Sequence, residues 1–252
     1  MTIDYRVLFD SETPGRHIDS DELADLYRHP TVPDRPWVRT NFVSTLDGAA
    51  QGPDGRSGSI NTASDRLAFA LQRTMADVIV VGAATARIEQ YRAVDLEPWQ
   101  QAMRAELGLA PYPTLAVVSR TAAAADHLAS LPDAEGGPVL IITGRAQART
   151  PIPDGVELIT LDDQDLVPPK KLISALADRG FQRVLCEGGP SLVHALHANG
   201  LVDEICLTLS PMVIGGPAKR TTSGTLLDPE QYRLAHCITA EDQALLLRYL
   251  RR

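Results

Sequence analysis

Four short apolar runs constrain this chain more than anything else in it: Val78-Ile79-Val80-Val81, Thr114-Leu115-Ala116-Val117-Val118, residues 139–142 and Val184-Leu185-Cys186. None alternates apolar with polar residues. Each therefore reads as a strand covered by protein on both faces, the pattern of a parallel sheet with helices packed on either side. Each run also ends in small or polar residues: Gly82-Ala83-Ala84-Thr85, Ser119-Arg120, Thr143-Gly144 and Glu187-Gly188-Gly189. Strands alternating with helices bring such ends to one edge of the sheet, where α/β proteins bind their ligands.

The helices between these strands are also readable. Asn61 and Thr62 cap a helix over 63–75, with Leu67, Ala70, Leu71 and Thr74 on one face and Asp65, Arg66, Gln72 and Arg73 spread over the rest. Further helices are expected over 98–107, 171–178 and 191–198, the second stopped by Gly180. A strand over 37–43 runs into Ser44-Thr45-Leu46-Asp47-Gly48, where Asp-Gly forces a turn. Residues 202–209, 232–239 and 245–249 read as strands without intervening helices, so the C-terminal third is expected to add antiparallel pairings. Residues 1–35 hold an acidic helix candidate at 20–28, followed by Pro30, Pro33 and Pro36. They are expected to form a surface arm ahead of one domain at 36–252. The pieces at 121–125 and 135–138 read as surface connections.

With 252 residues, 44% hydrophobic and 22% charged, the chain can bury the core of one large α/β domain. A net charge of −8, without any basic run, argues against nucleic acid as a partner. Residues 1–10 lack the features of a signal peptide and no apolar stretch approaches membrane-spanning length, so a soluble, cytoplasmic protein is expected. Cys186, Cys206 and Cys237 stand far apart in apolar surroundings and read as core residues, neither a disulfide set nor a metal site. The stretch 184–192 is a strand running into a helix. Gly188 and Gly189 permit close backbone approach, Pro190 suits the first helical turn, and the free N–H groups of the helix can face a phosphate. Taken alone, it can also be only a tight turn.

In order along the chain, residues 41–48, 77–85, Glu187-Gly188-Gly189-Pro190-Ser191-Leu192, Leu201-Val202-Asp203-Glu204, Ser210-Pro211 and Gly215-Gly216 resemble the pyrimidine reductases of riboflavin biosynthesis. The resemblance runs from about residue 36 to the C-terminus. It implies a dihydrofolate-reductase-like α/β fold, with a central, mostly parallel sheet flanked by helices and antiparallel C-terminal strands. It also implies NADPH as cofactor, a homodimer, and reduction of the ribosyl group of a 5-amino-6-ribosylamino-uracil 5′-phosphate, or of the 2,5-diamino-pyrimidinone, to ribityl. Neither zinc signature of a deaminase occurs, so a stand-alone reductase is expected. By the same resemblance Gly82, Ala83 and Thr85 contact the cofactor together with Gly188, Gly189, Pro190, Ser191 and Leu192, while Ser57, Arg73 and Glu187 face the substrate.

The residues themselves add to this. Ser119 and Arg120, at a strand end, suit the 2′-phosphate of NADPH, because a guanidinium presents paired donors to phosphate oxygens. Asp47 is a proton relay or substrate acceptor, or simply opens the Asp-Gly turn. Glu187 is placed to accept hydrogen bonds from pyrimidine amino groups. Two positions depart from the family: Asn41 stands where many bacterial members carry Lys, and Glu89-Gln90-Tyr91-Arg92-Ala93-Val94 replaces a run with a phosphate-binding arginine. Arg73 is therefore expected to hold the substrate phosphate, and Arg92 is the candidate for the missing cation, which it either replaces or does not. Asp65 sits where dihydrofolate reductases place the carboxylate that grips the pteridine, which makes dihydrofolate or pterin reduction the alternative. A third reading is a dinucleotide-binding protein without turnover.

Overall fold

The computed structural model describes residues 3–10, 14–30, 35–120, 124–129, 135–144, 151–161 and 166–252. Its strands form one sheet in the order β2-β1-β10-β11-β9-β3-β8-β4-β5-β6-β7. The parallel part comprises β3 (Trp37–Thr45), β4 (Val78–Gly82), β5 (Thr114–Ser119), β6 (Val139–Thr143), β7 (Val156–Thr160), β8 (Arg183–Cys186) and β9 (Glu204–Ser210). Within it the unalternating runs behave as their sequence requires. Val78 and Val80 face one core with Ala116, Leu140 and Ile142, whereas Ile79 and Val81 face the other with Leu115, Val117 and Ile141. The first core is covered by α6 (Pro169–Ala177) and α7 (Pro190–Ala198), through Leu172, Leu176, Val193 and Leu196. The second is covered by α3 (Ala83–Ile88) and α5 (Ala124–Ala129).

The C-terminal strands β10 (Tyr232–Ala240) and β11 (Leu245–Arg251) pair antiparallel with each other, and β11 pairs antiparallel with β9. β9 itself joins β3 in parallel, so the antiparallel part begins one strand later than the run of strands suggests.

The largest correction concerns the N-terminus, which is built into the sheet. β1 (Tyr5–Phe9) pairs antiparallel with β10, β2 (His17–Ile18) pairs with β1, and α1 (Ser20–Leu26) follows, N-capped by Asp19 in a capping box with Glu22. Tyr5, Val7, Leu23 and Tyr27 are buried against Leu71 and Met75 of α2 (Ala63–Met75) and Ile238 and Leu246 of the C-terminal strands. The arm reading fails ahead of Pro30, where the alternating Tyr5 and Val7 bury one face of a strand held between β2 and β10. Further elements were not expected, β7 among them. Ala124 and Ala125, read as a surface connection, begin α5 and are buried, and the Gly82 junction opens directly into α3. Pro33 and residues 121–123 lie outside the described residues. The helix over 98–107 is α4 (Pro98–Glu106). No helix among the described residues is long and apolar enough to cross a membrane.

Candidate active site

A cleft of about 290 Å³ opens at the carboxyl ends of β3, β4 and β8. Of the residues singled out from the sequence it is lined by Asn41, Ser57, Asp65, Arg73, Thr85, Glu187, Gly189 and Pro190. Its centre is Glu187, whose side chain is only 2% exposed. Arg73 clasps it in two parallel hydrogen bonds, Nε to Oε1 at 2.8 Å and Nη2 to Oε2 at 2.7 Å. The Tyr91 hydroxyl donates to Oε2 at 2.6 Å. The Arg73 guanidinium lies over the rings of Phe69, at 4.2 Å, and Tyr91, at 5.2 Å. Burial by itself would lower the Arg73 pKa, and the adjoining Glu187 more than reverses that, so the guanidinium stays charged. Burial, then Glu187, pushes the Tyr91 phenol well up, so it remains a donor. Arg73 and Glu187, expected as separate substrate contacts, are thus one ion-paired unit.

Helix α2 builds one wall. Thr62 caps it, with Oγ1 accepting from the Asp65 N–H at 3.2 Å. Asp65 and Gln72, read as surface residues, are buried, and Gln72 Nε2 donates to Asn41 Oδ1 at 3.0 Å. With its amide turned so that nitrogen meets two acceptors, Asn61 donates to the Ser57 carbonyl at 2.9 Å and to Asp65 Oδ2 at 3.2 Å. Burial raises the Asp65 pKa, against the opposing hydrogen bond from Thr208. The opposite wall comes from α3 and the turn after it. Gln90 takes a positive φ of 60°, the chain doubles back with Tyr91 N–H on the Ala86 carbonyl at 2.8 Å, and the ring returns to Glu187. Glu89 Oε1 accepts the Ser57 N–H at 2.8 Å and ties the two walls together.

The glycine junction lies beside this centre. The Gly82 N–H donates to the Gly188 carbonyl at 2.7 Å, so the ends of β4 and β8 abut. Gly188 has φ +98°, and a Cβ there would meet the Phe42 ring at 3.2 Å. Gly189 has φ −75°, so glycine is required there for space: a Cβ would come 2.3 Å from Thr85 Oγ1. The Gly188–Gly189 peptide is cis. Gly189 caps α7 with no side-chain hydrogen bond, and Pro190 occupies its first turn. The Gly189 cap thus offers the opening N–H groups of α7 no side-chain acceptor, and this fits an anionic nucleotide group. Ser191 and Leu192 belong to the same turn, and Ala83 opens α3 beside it. Ser119 ends β5 on the same edge, in register with Thr143, and Arg120 follows, exposed.

Two of the expected catalytic and substrate-binding residues lie outside the cleft lining. Arg92 is exposed and is not among the lining residues, although its neighbour Tyr91 is. Asp47 is likewise exposed and serves its own turn. Its Oδ1 accepts from the Thr45 hydroxyl, and its Oδ2 accepts the N–H groups of Gly215 at 2.7 Å and Ile214 at 3.3 Å. These bonds, the Thr45 hydroxyl first, lower its pKa and keep it an acceptor. Phe69, Glu89, Tyr91 and Lys219 line the cleft without having been singled out. Among the described residues no cluster of His, Cys, Asp and Glu is arranged to hold a metal ion.

Fold and site together define an α/β protein with a glycine-lined helix start and, beside it, a compact cleft. The chain belongs to the RibD C-terminal domain family, whose model it matches over residues 36–246. It is 28% identical over 186 residues to the riboflavin biosynthesis protein RibD of Mycobacterium tuberculosis, a match covering 72% of this chain and 44% of that protein. The chain thus spans less than half the length of that relative. It is 27% identical over 193 residues to the 2,5-diamino-6-ribosylamino-4(3H)-pyrimidinone 5′-phosphate reductase of Methanothermobacter thermautotrophicus, covering 74% of this chain and 83% of that one. Among solved structures, a pyrimidine reductase-like protein from Corynebacterium diphtheriae matches with a TM-score of 0.70 at 24% identity, over 86% of this chain and 92% of that one. Enterococcus faecalis dihydrofolate reductase, complexed with NADP(H), matches with a TM-score of 0.50 at 14% identity, over 86% and 96%. These two likenesses are of fold, which is dihydrofolate-reductase-like.

Proposed function

We propose that the protein reduces the ribosyl group of a 5-amino-6-ribosylamino-pyrimidine 5′-phosphate at C1′, with NADPH as the cofactor, as a step of riboflavin biosynthesis. The observation that carries this reading is the Arg73–Glu187–Tyr91 unit standing directly beside the uncapped start of α7. NADPH, when bound, supplies the hydride. The chain's own residues then have to bind, orient and exclude water. Gly82, Ala83, Thr85 and the turn at 188–192 hold the nucleotide, and Ser119 with Arg120 holds its 2′-phosphate. Glu187 receives three hydrogen bonds, whereas a carboxylate offers about four lone-pair positions. The remaining one accepts a pyrimidine amino N–H, with Arg73 and Tyr91 fixing the carboxylate for it. Asn41, held by Gln72, and Ser57 offer neutral hydrogen-bonding groups to the sugar and base. The working unit is a homodimer.

A second reading, reduction of dihydrofolate or another pterin, is favoured by one observation: Asp65 is a buried carboxylate on α2 that lines the cleft. Loss of nicotinamide absorbance, measured with the phosphorylated ribosylamino-pyrimidine and with dihydrofolate side by side, separates the two. Turnover of the first is expected. Turnover of dihydrofolate alone moves the assignment to the pterin, and turnover of neither leaves a dinucleotide-binding protein. Sedimentation of the purified protein tests the dimer.

A further inference from the structure

The proposed substrate carries a phosphate, yet the arginine expected to hold it is engaged. Arg73 gives Nε and Nη2 to Glu187, so its charge is already matched by a carboxylate that is itself 2% exposed. Asp65 and Glu89 add two more acidic side chains to the cleft lining. A dianion entering this cleft needs a cation that no carboxylate has claimed. Arg92 is exposed and outside the lining. Lys219 is the one other Lys or Arg among the lining residues, and among the described residues it makes no ion pair.

Lys219 reaches the cleft because its loop is fastened to the turn after β3. The Leu46 N–H donates to the Met212 carbonyl at 2.8 Å, the Gly215 N–H to Asp47 Oδ2 at 2.7 Å, and the Ala50 N–H to the carbonyl of Lys219 itself at 2.8 Å. Between these fastenings Gly215 and Gly216 take φ of +63° and +72°, a left-handed pair that other residues rarely adopt and that reverses the chain toward the rim. Ala50 and Gln51, on the fastened turn, line the cleft as Lys219 does. The backbone at Lys219 is therefore fixed while its long side chain stays adjustable, which suits a point-charge contact with phosphate oxygens.

We propose that Lys219 is the residue that binds the substrate's 5′-phosphate, and that Asp47 is a positioning residue that holds the Lys219 loop against the cleft. This rests on the phosphorylated-pyrimidine reading above and departs from the expectation that Arg73 binds the phosphate. Asp47, conspicuous in the sequence, thereby acts at the rim and not at the reacting carbon.

The test uses ribose 5-phosphate and ribose as calorimetric probes of the full chain, followed by steady-state kinetics. Lys219→Met is expected to weaken ribose 5-phosphate binding roughly ten- to hundredfold, the loss of a charge-assisted contact, with ribose and NADPH affinities and the thermal melt unchanged. Michaelis constant and not kcat should move for the phosphorylated substrate. Asp47→Ala should weaken ribose 5-phosphate by a smaller factor in the wild-type background and have no further effect in Lys219→Met, because it acts through that residue. Equal ribose 5-phosphate affinity in wild type and Lys219→Met, or no binding to the wild type, overturns the proposal. So does an Arg73→Ala protein that no longer distinguishes ribose 5-phosphate from ribose while Lys219→Met still does. If the probe binds as expected but the phosphorylated pyrimidine is not turned over, the phosphate site stands and the functional reading falls.

Discussion

Two of the carboxylates gripped by arginine, Glu204 and Glu187, are built for opposite ends. Glu204, on β9, is fully buried and receives five hydrogen bonds. They come from Arg39 Nε and Arg248 Nε at 2.7 Å each, Trp37 Nε1 at 2.7 Å, Arg248 Nη2 at 3.3 Å and Cys206 Sγ at 3.4 Å. Glu187 receives three, and its arginine retains 23% side-chain exposure on a cleft. Burial by itself would raise the Glu204 pKa, but Arg39 and Arg248 hold it far below the usual carboxylate range. Arg39 and Arg248 also donate to the carbonyls of Tyr27 and Leu26, pinning the end of α1 over the sheet. A saturated carboxylate is a structural joint, whereas one beside a cavity with acceptor capacity to spare has room for a further donor.

Removing the joint should have the largest effect. Glu204→Gln leaves two buried guanidinium groups without a counter-charge and should destabilise the fold by about 3–5 kcal/mol. A denaturant midpoint unmoved by the change would erase the distinction between the two clusters. Glu187→Gln should do the reverse. It should lower kcat/KM for the phosphorylated pyrimidine roughly ten- to hundredfold, since a hydrogen bond to a charged group contributes about 1.5–3 kcal/mol, with a smaller shift in melting temperature than Glu204→Gln.

Acid sharpens the comparison further, because His236 packs edge-on against Tyr27 at 5.2 Å, beside the joint. Burial, then the Arg248 charge, pushes its pKa down to about 3. Below the unfolded value of about 6.5 the unfolded chain takes up a proton that the folded one refuses, so stability falls as pH falls from there toward 3. The loss should be about 2 kcal/mol between pH 6.5 and 5. Melting curves across that range should show it, and His236→Gln should flatten the slope even if the variant is less stable throughout. The smallest effect belongs to a guanidinium outside both clusters. Arg120 takes no carboxylate partner among the described residues, and Arg120→Ala should reduce the preference for NADPH over NADH about tenfold, as direct titration of both nucleotides will report.

The parallel half of the sheet was legible because its signal is local. Each apolar run carries its own two-sided burial, and the small residues at its end mark the site edge. The site was legible where the resemblance supplied it, at Glu187, the glycine pair and Arg73. It was missed where two elements had to be combined. Asp65 and Arg73 were singled out, but Phe69 and Gln72, which fall at helical spacing on the same stripe of α2, were not, because Gln72 was read as lying on the outer surface. Tyr91 follows a residue with positive φ that no turn motif announces, and Lys219 reaches the cleft through a backbone bond to Ala50. Glu204 gave no sign of its role because its register partner Arg39 lies far away in sequence.

The pairing of β1 with β10 has a temporal consequence. Residue 5 lies opposite residue 240, so the first strand of the sheet has no template until most of the chain has left the ribosome. At about 5–20 residues per second, the interval is on the order of tens of seconds. Throughout it Tyr5, Val7, Leu23 and Tyr27 have no β10 or β11 to bury against, although the parallel strands that carry the cleft are already available to pair. The parallel strands can thus pair as they emerge, whereas the opening segment meets its sheet partner last.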